Sequence, residues 1–141
     1  MAHLRHLAIR CDDMEKSRDF YTTVIGWDFF DYRPSRQGLD LTDGVNNITL
    51  LQNPPDLVRP SFEEGEEYIH FGVVVDDLGA CWQRCLDWGA EISKGNVKDR
   101  SEVESLELAP EHSFKVLDPD GNVIDVTSNR GEWNGVLFLD D

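Results

Sequence analysis

The sequence predicts an α+β fold built from two βαβββ repeats, and three observations carry that expectation. First, His6-Leu7-Ala8-Ile9-Arg10-Cys11-Asp12-Asp13-Met14 matches His70-Phe71-Gly72-Val73-Val74-Val75-Asp76-Asp77-Leu78, an offset of 64 residues. Second, each match runs into a pattern of helical period that stops at a glycine, Gly26 in one half and Gly89 in the other. Third, short strand-like runs follow each glycine.

Taken in chain order, residues 4–11 alternate as a strand, and Asp13 stands where a side chain caps a helix start. Met14, Phe20, Tyr21, Val24 and Ile25 then give that helix an apolar side. Residues 27–33, 37–42 and 45–52 complete the first module, residues 4–52. Asn53 to Glu67 holds Pro54, Pro55 and Pro60 beside an acidic run, the composition of a linker inside one domain spanning residues 1–141. The second module, residues 68–128, opens with a strand at 68–75. Asp77 caps a helix whose Leu78, Cys81, Trp82, Cys85 and Leu86 fall on one side. Strands are expected at 90–95, 112–118 and 121–128, with a long polar flap from Asn96 to Glu111. Asp118-Pro119-Asp120-Gly121 carries the residues of a tight turn between the last two. The tail, residues 129–141, ends in an apolar run too short for a core element, which is expected to dock on a neighbouring element.

Composition narrows the function classes. The chain has 141 residues, 40% of them apolar, enough for one enclosed core. No apolar run approaches the roughly 20 residues that span a bilayer. Lys and Arg number 13 against 28 Asp and Glu, a net charge of -15 that repels phosphate backbones and anionic lipid, so neither nucleic acid nor membrane is an expected partner. The first residues lack the basic, apolar and small-residue regions of a signal peptide, which makes the cytoplasm the expected location. Three cysteines do not make a disulfide framework, and Cys81 and Cys85 read as small buried hydrophobes.

Strand alternation assigns faces. Leu7, Ile9 and Cys11 point toward the helix, which sends His6, Ala8 and Arg10 to the opposite, concave side. By the same logic His70 joins Gly72 and Val74, and Asp125 joins Val123 and Thr127. A lone inward histidine is ordinarily a hydrogen-bonded core residue. Histidine at the same repeat position twice, with a carboxylate on the closing strand, points further. If the two halves pair about a pseudo-twofold, His6, His70 and Asp125 surround one point, the two-imidazole, one-carboxylate set that holds a catalytic divalent metal. Fe(II) is the first expectation, with Mn(II), Ni(II) or Zn(II) as alternatives. Trp27, Phe29, Phe30 and Trp82 read mainly as core.

Across residues 4–128 the chain resembles the vicinal oxygen chelate superfamily, which includes glyoxalase I, extradiol dioxygenases, fosfomycin-resistance thiol transferases, methylmalonyl-CoA epimerase and the metal-free bleomycin-resistance proteins. The resemblance is carried by His6-Leu7-Ala8-Ile9, by Asp13-Met14-Glu15-Lys16-Ser17-Arg18-Asp19-Phe20-Tyr21 with Gly26-Trp27, by Ile69-His70-Phe71, and by Asp118-Pro119-Asp120-Gly121-Asn122-Val123-Ile124-Asp125. It implies a curved mixed sheet of the glyoxalase/dioxygenase type with helices on the convex side. It also implies metal ligands from the first, fourth, fifth and eighth strands. His6, His70 and Asp125 match three of these, although the eighth-strand ligand is usually Glu. The fourth-strand position aligns with Thr49, where glyoxalase I has Glu, and a threonine does not readily take a proton from carbon at neutral pH.

The resemblance therefore implies a metal-dependent enzyme with dioxygenase-like chemistry on a small molecule that chelates through two adjacent oxygens. Thr49 would hydrogen-bond a bound oxygen, Arg10 would clamp an anionic substrate, and His112 would serve as an acid or base. The alternatives are a metal-free drug- or metabolite-binding protein, a glyoxalase-like lyase or fosfomycin-type thiol transferase, and an isomerase of CoA or glutathione conjugates. Members often exchange halves between subunits, which implies a homodimer.

Overall fold

A computed structural model describes residues 1–62, 65–93 and 105–138. The fold is α+β with two four-stranded mixed sheets, and the chain divides into two compact units: Met1–Ser61 with Asp118–Gly121, and Phe62–Leu117 with Asn122–Asp141. Among the described residues no helix is long and apolar enough to cross a membrane.

The first unit contains β1 (His6–Cys11), α1 (Met14–Phe20), a π-helical turn (Tyr21–Ile25), β2 (Asp28–Tyr32), β3 (Gly38–Thr42) and β4 (Asn47–Gln52). The strands lie in the order β1-β4-β3-β2, with β1 parallel to β4 and the other pairs antiparallel. Asp13 caps α1 by accepting the Lys16 N–H at 3.0 Å. The helical pattern does not continue as α-helix to its end. Gly26 and Trp27 both donate their N–H to Tyr21 O, at 3.0 and 3.1 Å, and Gly26 takes the left-handed φ of 90°. The wider turn has a reason in packing. Phe20, Tyr21, Val24 and Ile25 are two adjacent pairs four residues apart, and loosening the winding lets all four face inward, where each is at most 7% exposed. Ile9, Cys11, Leu39, Leu41, Ile48 and Leu50 form the buried face of the sheet. The ladder of β2 shifts register at Phe30, which is left exposed while Phe29 lies 3.8 Å beneath the Arg18 guanidinium.

The turn Asp118–Gly121 belongs to this unit. Gly121 N–H closes it on Asp118 O at 3.0 Å, and Gly121 supplies the positive φ of 83°. Asp118 accepts the Tyr21 hydroxyl at 2.7 Å, while Asp120 accepts the Asp12 N–H at 2.9 Å. Burial, with Asp118 and Asp12 nearby, raises the Asp120 carboxyl above its ordinary value, although the Asp12 N–H opposes the shift. A raised carboxyl lends most stability while protonated, and that contribution is lost as pH rises through the raised value. Asp120→Asn keeps an oxygen for Asp12 and cannot ionise. Its stability relative to wild type is therefore expected to improve as pH rises from about 4 to about 7 in urea unfolding series. A gap that stays constant over that range would refute the assignment.

The second unit contains β5 (Phe71–Val74), α2 (Leu78–Trp88), β6 (Glu91–Ile92), β7 (Ser113–Leu117) and β8 (Val123–Thr127), in the order β5-β8-β7-β6. Again the first and last strands are parallel, and the ends of α2 match the sequence reading: Asp77 accepts the Ala80 N–H at 2.9 Å, and Gly89 adopts φ 78°. Leu78, Cys81, Trp82 and Cys85 of α2 are buried, as are Phe114, Val116, Ile124 and Val126 of the sheet, with Trp82 edge-on to Phe114. All three cysteines are free and buried, as expected.

The strands are shorter than the sequence reading, most by one or two residues, and three of the differences bear on the site or its sheet. β1 begins at His6 rather than at residue 4. β5 begins at Phe71 rather than at 68, because its ladder with β8 opens only at Phe71 opposite Ile124; His70 thus precedes the strand. β6 covers Glu91–Ile92, with Ser93 N–H adding one bond to Lys115 O; residues 94 and 95 of the expected strand lie outside the described residues. Most of the expected flap, residues 96–104, lies outside the described residues.

Candidate functional site

In the second unit the structure brings His70 and Asp125 together. The Nε2 atom of His70 is 3.4 Å from Asp125 Oδ2, and its Nδ1 is 3.3 Å from Glu67 Oε1. Asp125 sits on β8 opposite Gly72, between the inward-packed Ile124 and Val126, so strand alternation turns its carboxylate to the open face. His70 is 47% exposed, Asp125 25% and Glu67 17%. The pair is thus accessible and already oriented by a second carboxylate.

The first unit holds His6 in a longer polar network. Its Nδ1 lies 2.6 Å from Asn47 Oδ1, its register partner on β4. Thr49 Oγ1 donates to Asp40 Oδ1 at 2.7 Å and lies 3.0 Å from Asn47 Oδ1, while Arg33 Nη2 donates to both Asp40 and Thr49, at 3.0 and 2.9 Å. Burial pushes the Asp40 carboxyl up, but hydrogen bonds from Thr49, Asn47 and Arg33 outweigh it and hold Asp40 below its ordinary value. The order of these bonds matters. Asn47 gives its NH₂ to Asp40, so its oxygen must face His6. His6 Nδ1 is then the protonated nitrogen and Nε2 carries the lone pair, the arrangement found where a ligating imidazole is held by an outer-shell acceptor.

Of the remaining expected residues, Arg10 and His112 stand apart from these bonds. Arg10 is exposed on β1, and its carbonyl accepts Arg59 Nη1 at 3.2 Å. His112 is 79% exposed, 3.8 Å from Glu111, and lines an open pocket of 340 Å³ with Ser113, Ser128, Asn129 and Glu132. Thr49, only 2% exposed, is saturated by Asp40, Asn47 and Arg33. Of the four aromatics expected mainly in the core only Trp82, 3% exposed, is buried; Trp27, stacked on Tyr21 with centroids 5.1 Å apart, and Phe29 are half-buried, and Phe30 is 76% exposed where the β2 ladder shifts register.

Sequence reasoning missed Glu67, Asn47, Asp40 and Arg33. Asp40 and Asn47 had a signal, since β3 and β4 alternate apolar residues with Asp40, Thr42, Asn47 and Thr49. Glu67 had none, being one acid in a linker rich in them.

Within the second unit the spacing of His70 and Asp125 suits two ligands of one divalent metal. Two ligands each about 2.1 Å from one ion, at angles between octahedral and tetrahedral, stand roughly 3.0 to 3.4 Å apart, the range in which His70 Nε2 and Asp125 Oδ2 lie. Within the second unit Nδ1 of His70 faces Glu67 and its Nε2 faces Asp125; within the first unit Nδ1 of His6 faces Asn47. Among the described residues no group of three or more His, Cys, Asp or Glu side chains is gathered ready to hold a metal. Glu67 and Asp125 address opposite nitrogens of the same ring and do not converge. If His6 ligates a metal, as the resemblance implies, Asp40→Ala is expected to free the Asn47 amide to turn, and so to weaken Mn(II) binding in calorimetric titration by about tenfold. Unchanged affinity would mean that the Asn47 orientation is irrelevant to His6.

The model of the family described as Glyoxalase/Bleomycin resistance protein/Dioxygenase superfamily matches residues 3–126. A glyoxalase domain-containing protein, RDO1, of Mycosarcoma maydis is 29% identical over 127 residues, covering 89% of this chain and 67% of the relative. The catechol-2,3-dioxygenase of Bacillus subtilis strain 168 is 29% identical over 132 residues, 91% of this chain but only 42% of that protein, so the chain spans about two fifths of its length. The crystal structure of fosfomycin resistance protein FosX from Mesorhizobium loti superposes with a TM-score of 0.64 over 92% of this chain and 93% of that one; at 13% identity this is a likeness of fold.

Proposed function

Because this chain belongs to the glyoxalase/bleomycin resistance protein/dioxygenase superfamily, we propose that it is a metal-dependent enzyme acting on a small molecule with two adjacent oxygens, with dioxygenation as its reaction. His6, His70 and Asp125 would hold the metal, Fe(II) first, with Mn(II), Ni(II) or Zn(II) as alternatives. When bound, the metal supplies Lewis acidity toward the chelating oxygens.

The observation that carries this reading is the His70–Asp125 pair with Glu67 behind it. Glu67 Oε1, 3.3 Å from Nδ1 of His70, would hold the ring so that Nε2 faces Asp125. In the first unit Asn47 holds the His6 ring by its Nδ1, and Asp40 with Arg33 holds Asn47. Arg10, exposed on the same face of β1 as His6, offers its guanidinium to an anionic substituent of the substrate. Thr49 acts through Asp40 and Asn47 rather than directly, because its hydroxyl is already engaged. His112, on the edge of its open pocket, is the accessible imidazole for proton exchange with water. The assembly and location that go with this reading are a homodimer in the cytoplasm.

The bracketing of His70 also favours a second reading, a metal-free binding protein for a drug or metabolite, since two carboxylates satisfy both ring nitrogens without an added ion. Metal analysis after anaerobic loading with Fe(II) and dialysis separates the two. Retained stoichiometric metal, with oxygen uptake on addition of a vicinal diol, is the expected result. A protein that holds no divalent metal, yet still binds small planar molecules, would overturn the enzyme reading. Metal retention without oxygen uptake would instead direct the reading toward a lyase or thiol transferase.

A further inference from the structure

The C-terminal segment of the second unit comes down on the open face of its sheet. Gly72 on β5 is the register partner of Asp125 on β8, so the two side-chain directions share that face, and His70 reaches it through Asp125. A Cβ built on Gly72 would overlap Cζ2 and Cη2 of Trp133. The six-membered edge of the indole therefore stands on the β5 backbone. Paired strands run about 4.8 Å apart, which puts that edge within side-chain reach of Asp125. The corresponding position of the first repeat is Ala8, so only the module that receives the tail gives up its Cβ.

The segment is held in place rather than draped. Asn129 N–H donates to Thr127 Oγ1 at 3.0 Å, Gly131 N–H to Asn129 Oδ1 at 3.0 Å, and Glu132 N–H to Asn129 O at 3.1 Å. The Arg130 guanidinium lies 3.8 Å over the Phe138 ring and folds the tail back on itself. Thr127, 1% exposed, and Lys115, 8% exposed, are buried although strand alternation puts both on the face of Asp125, whereas Asp125 keeps 25% of its side-chain surface and Trp133 is only half-buried. A flat aromatic surface thus borders the accessible carboxylate.

We propose that Trp133 is a specificity-determining residue, an aromatic wall against which a planar ring bound at the His70–Asp125 pair packs. The inference rests on the proposed site and assigns it a preference for flat, ring-bearing ligands over aliphatic ones.

The test uses the full chain as wild type, Trp133→Ala, Trp133→Phe and Gly72→Ala, titrated with Mn(II) alone and then with nitrocatechol, a planar chromophore with two adjacent oxygens. Mn(II) affinity is expected to be the same in all four, since no ligand is altered. Nitrocatechol binding is expected to weaken about tenfold in Trp133→Ala and in Gly72→Ala, where the new Cβ displaces the indole, and to persist in Trp133→Phe. In Gly72→Ala the tryptophan emission, read as the difference from Gly72→Ala combined with Trp133→Phe, is expected to shift to the red as the indole meets water. Nitrocatechol affinity that is unchanged or tighter in Trp133→Ala would overturn the proposal, the tighter case showing a tail that covers the site instead of lining it. If wild type takes up no Mn(II), the metal reading fails by itself. The wall is then judged by nitrocatechol affinity in the metal-free proteins, on the same tenfold criterion.

Discussion

Replacing His70 by alanine is expected to strip the protein of divalent metal. A ligating imidazole supplies a bond that no neighbour replaces, and its loss leaves Asp125 with Glu67 some distance away on the vacated side. The fall in Mn(II) affinity should exceed the roughly 10- to 100-fold cost of losing an outer-shell partner. Glu67→Gln provides that comparison. It keeps an oxygen to accept the Nδ1 proton, removes the charge, and should fall within the smaller range. Because the His70 side chain is 47% exposed and precedes β5, the unfolding midpoint of His70→Ala should stay near wild type. Metal content after dialysis and calorimetric titration measure both variants. If His70→Ala retains metal as wild type does, His70 is no ligand and the proposed centre is wrong.

The largest effect on stability is expected at Tyr21. Its side chain is 0% exposed, edge-on to Phe20 at 5.0 Å, stacked on Trp27, and bonded through its hydroxyl to Asp118, itself 4% exposed. Burial, then the Asp118 charge, pushes the phenol well above its ordinary value, so it remains a neutral donor. Tyr21→Phe leaves a buried carboxylate oxygen without that donor and should cost about 1 to 3 kcal/mol. Tyr21→Ala adds an empty ring-sized space and should cost about 3 to 5 kcal/mol or more. Urea unfolding of both variants checks this. Equal losses would show that the hydroxyl, and not the ring, carries the whole effect. The Asp118→Asn variant, which keeps an acceptor for the Tyr21 hydroxyl, should lose less than Tyr21→Phe.

How much of this was legible in the sequence follows from which forces act locally. The repeat, the two aspartate caps and the glycine stops are short-range devices, and α1, α2, Gly26 and Gly89 appear where the residues indicate them. Strand alternation placed Asp125 correctly on the open face, and the partnering of Ala8 with Thr49 and of Gly72 with Asp125 bears out the equivalence of those two positions. The π-helical turn was not legible, because apolar spacing at 20, 21, 24 and 25 reads as ordinary helix until packing decides the winding. Nor was the contact between Trp133 and Gly72, which joins residues 61 apart with no repeat or spacing to announce it. Glu67 illustrates the same limit. A carboxylate acquires a role from the imidazole it faces, and only the folded chain chooses among neighbouring acids.

The place of Asp118–Gly121 in the first unit has a consequence for how the protein is born. The bond from Tyr21 to Asp118 spans 97 residues, and that from Ser17 to Asp120 spans 103. As the ribosome releases the chain from its amino end, β1 to β4 emerge long before the turn that finishes their unit. Until then the Tyr21 hydroxyl and the Asp12 amide lack the acceptors they meet in the native state. Such distant closure is slow to form, so the first unit should complete its folding only after residues 118–121 have been made.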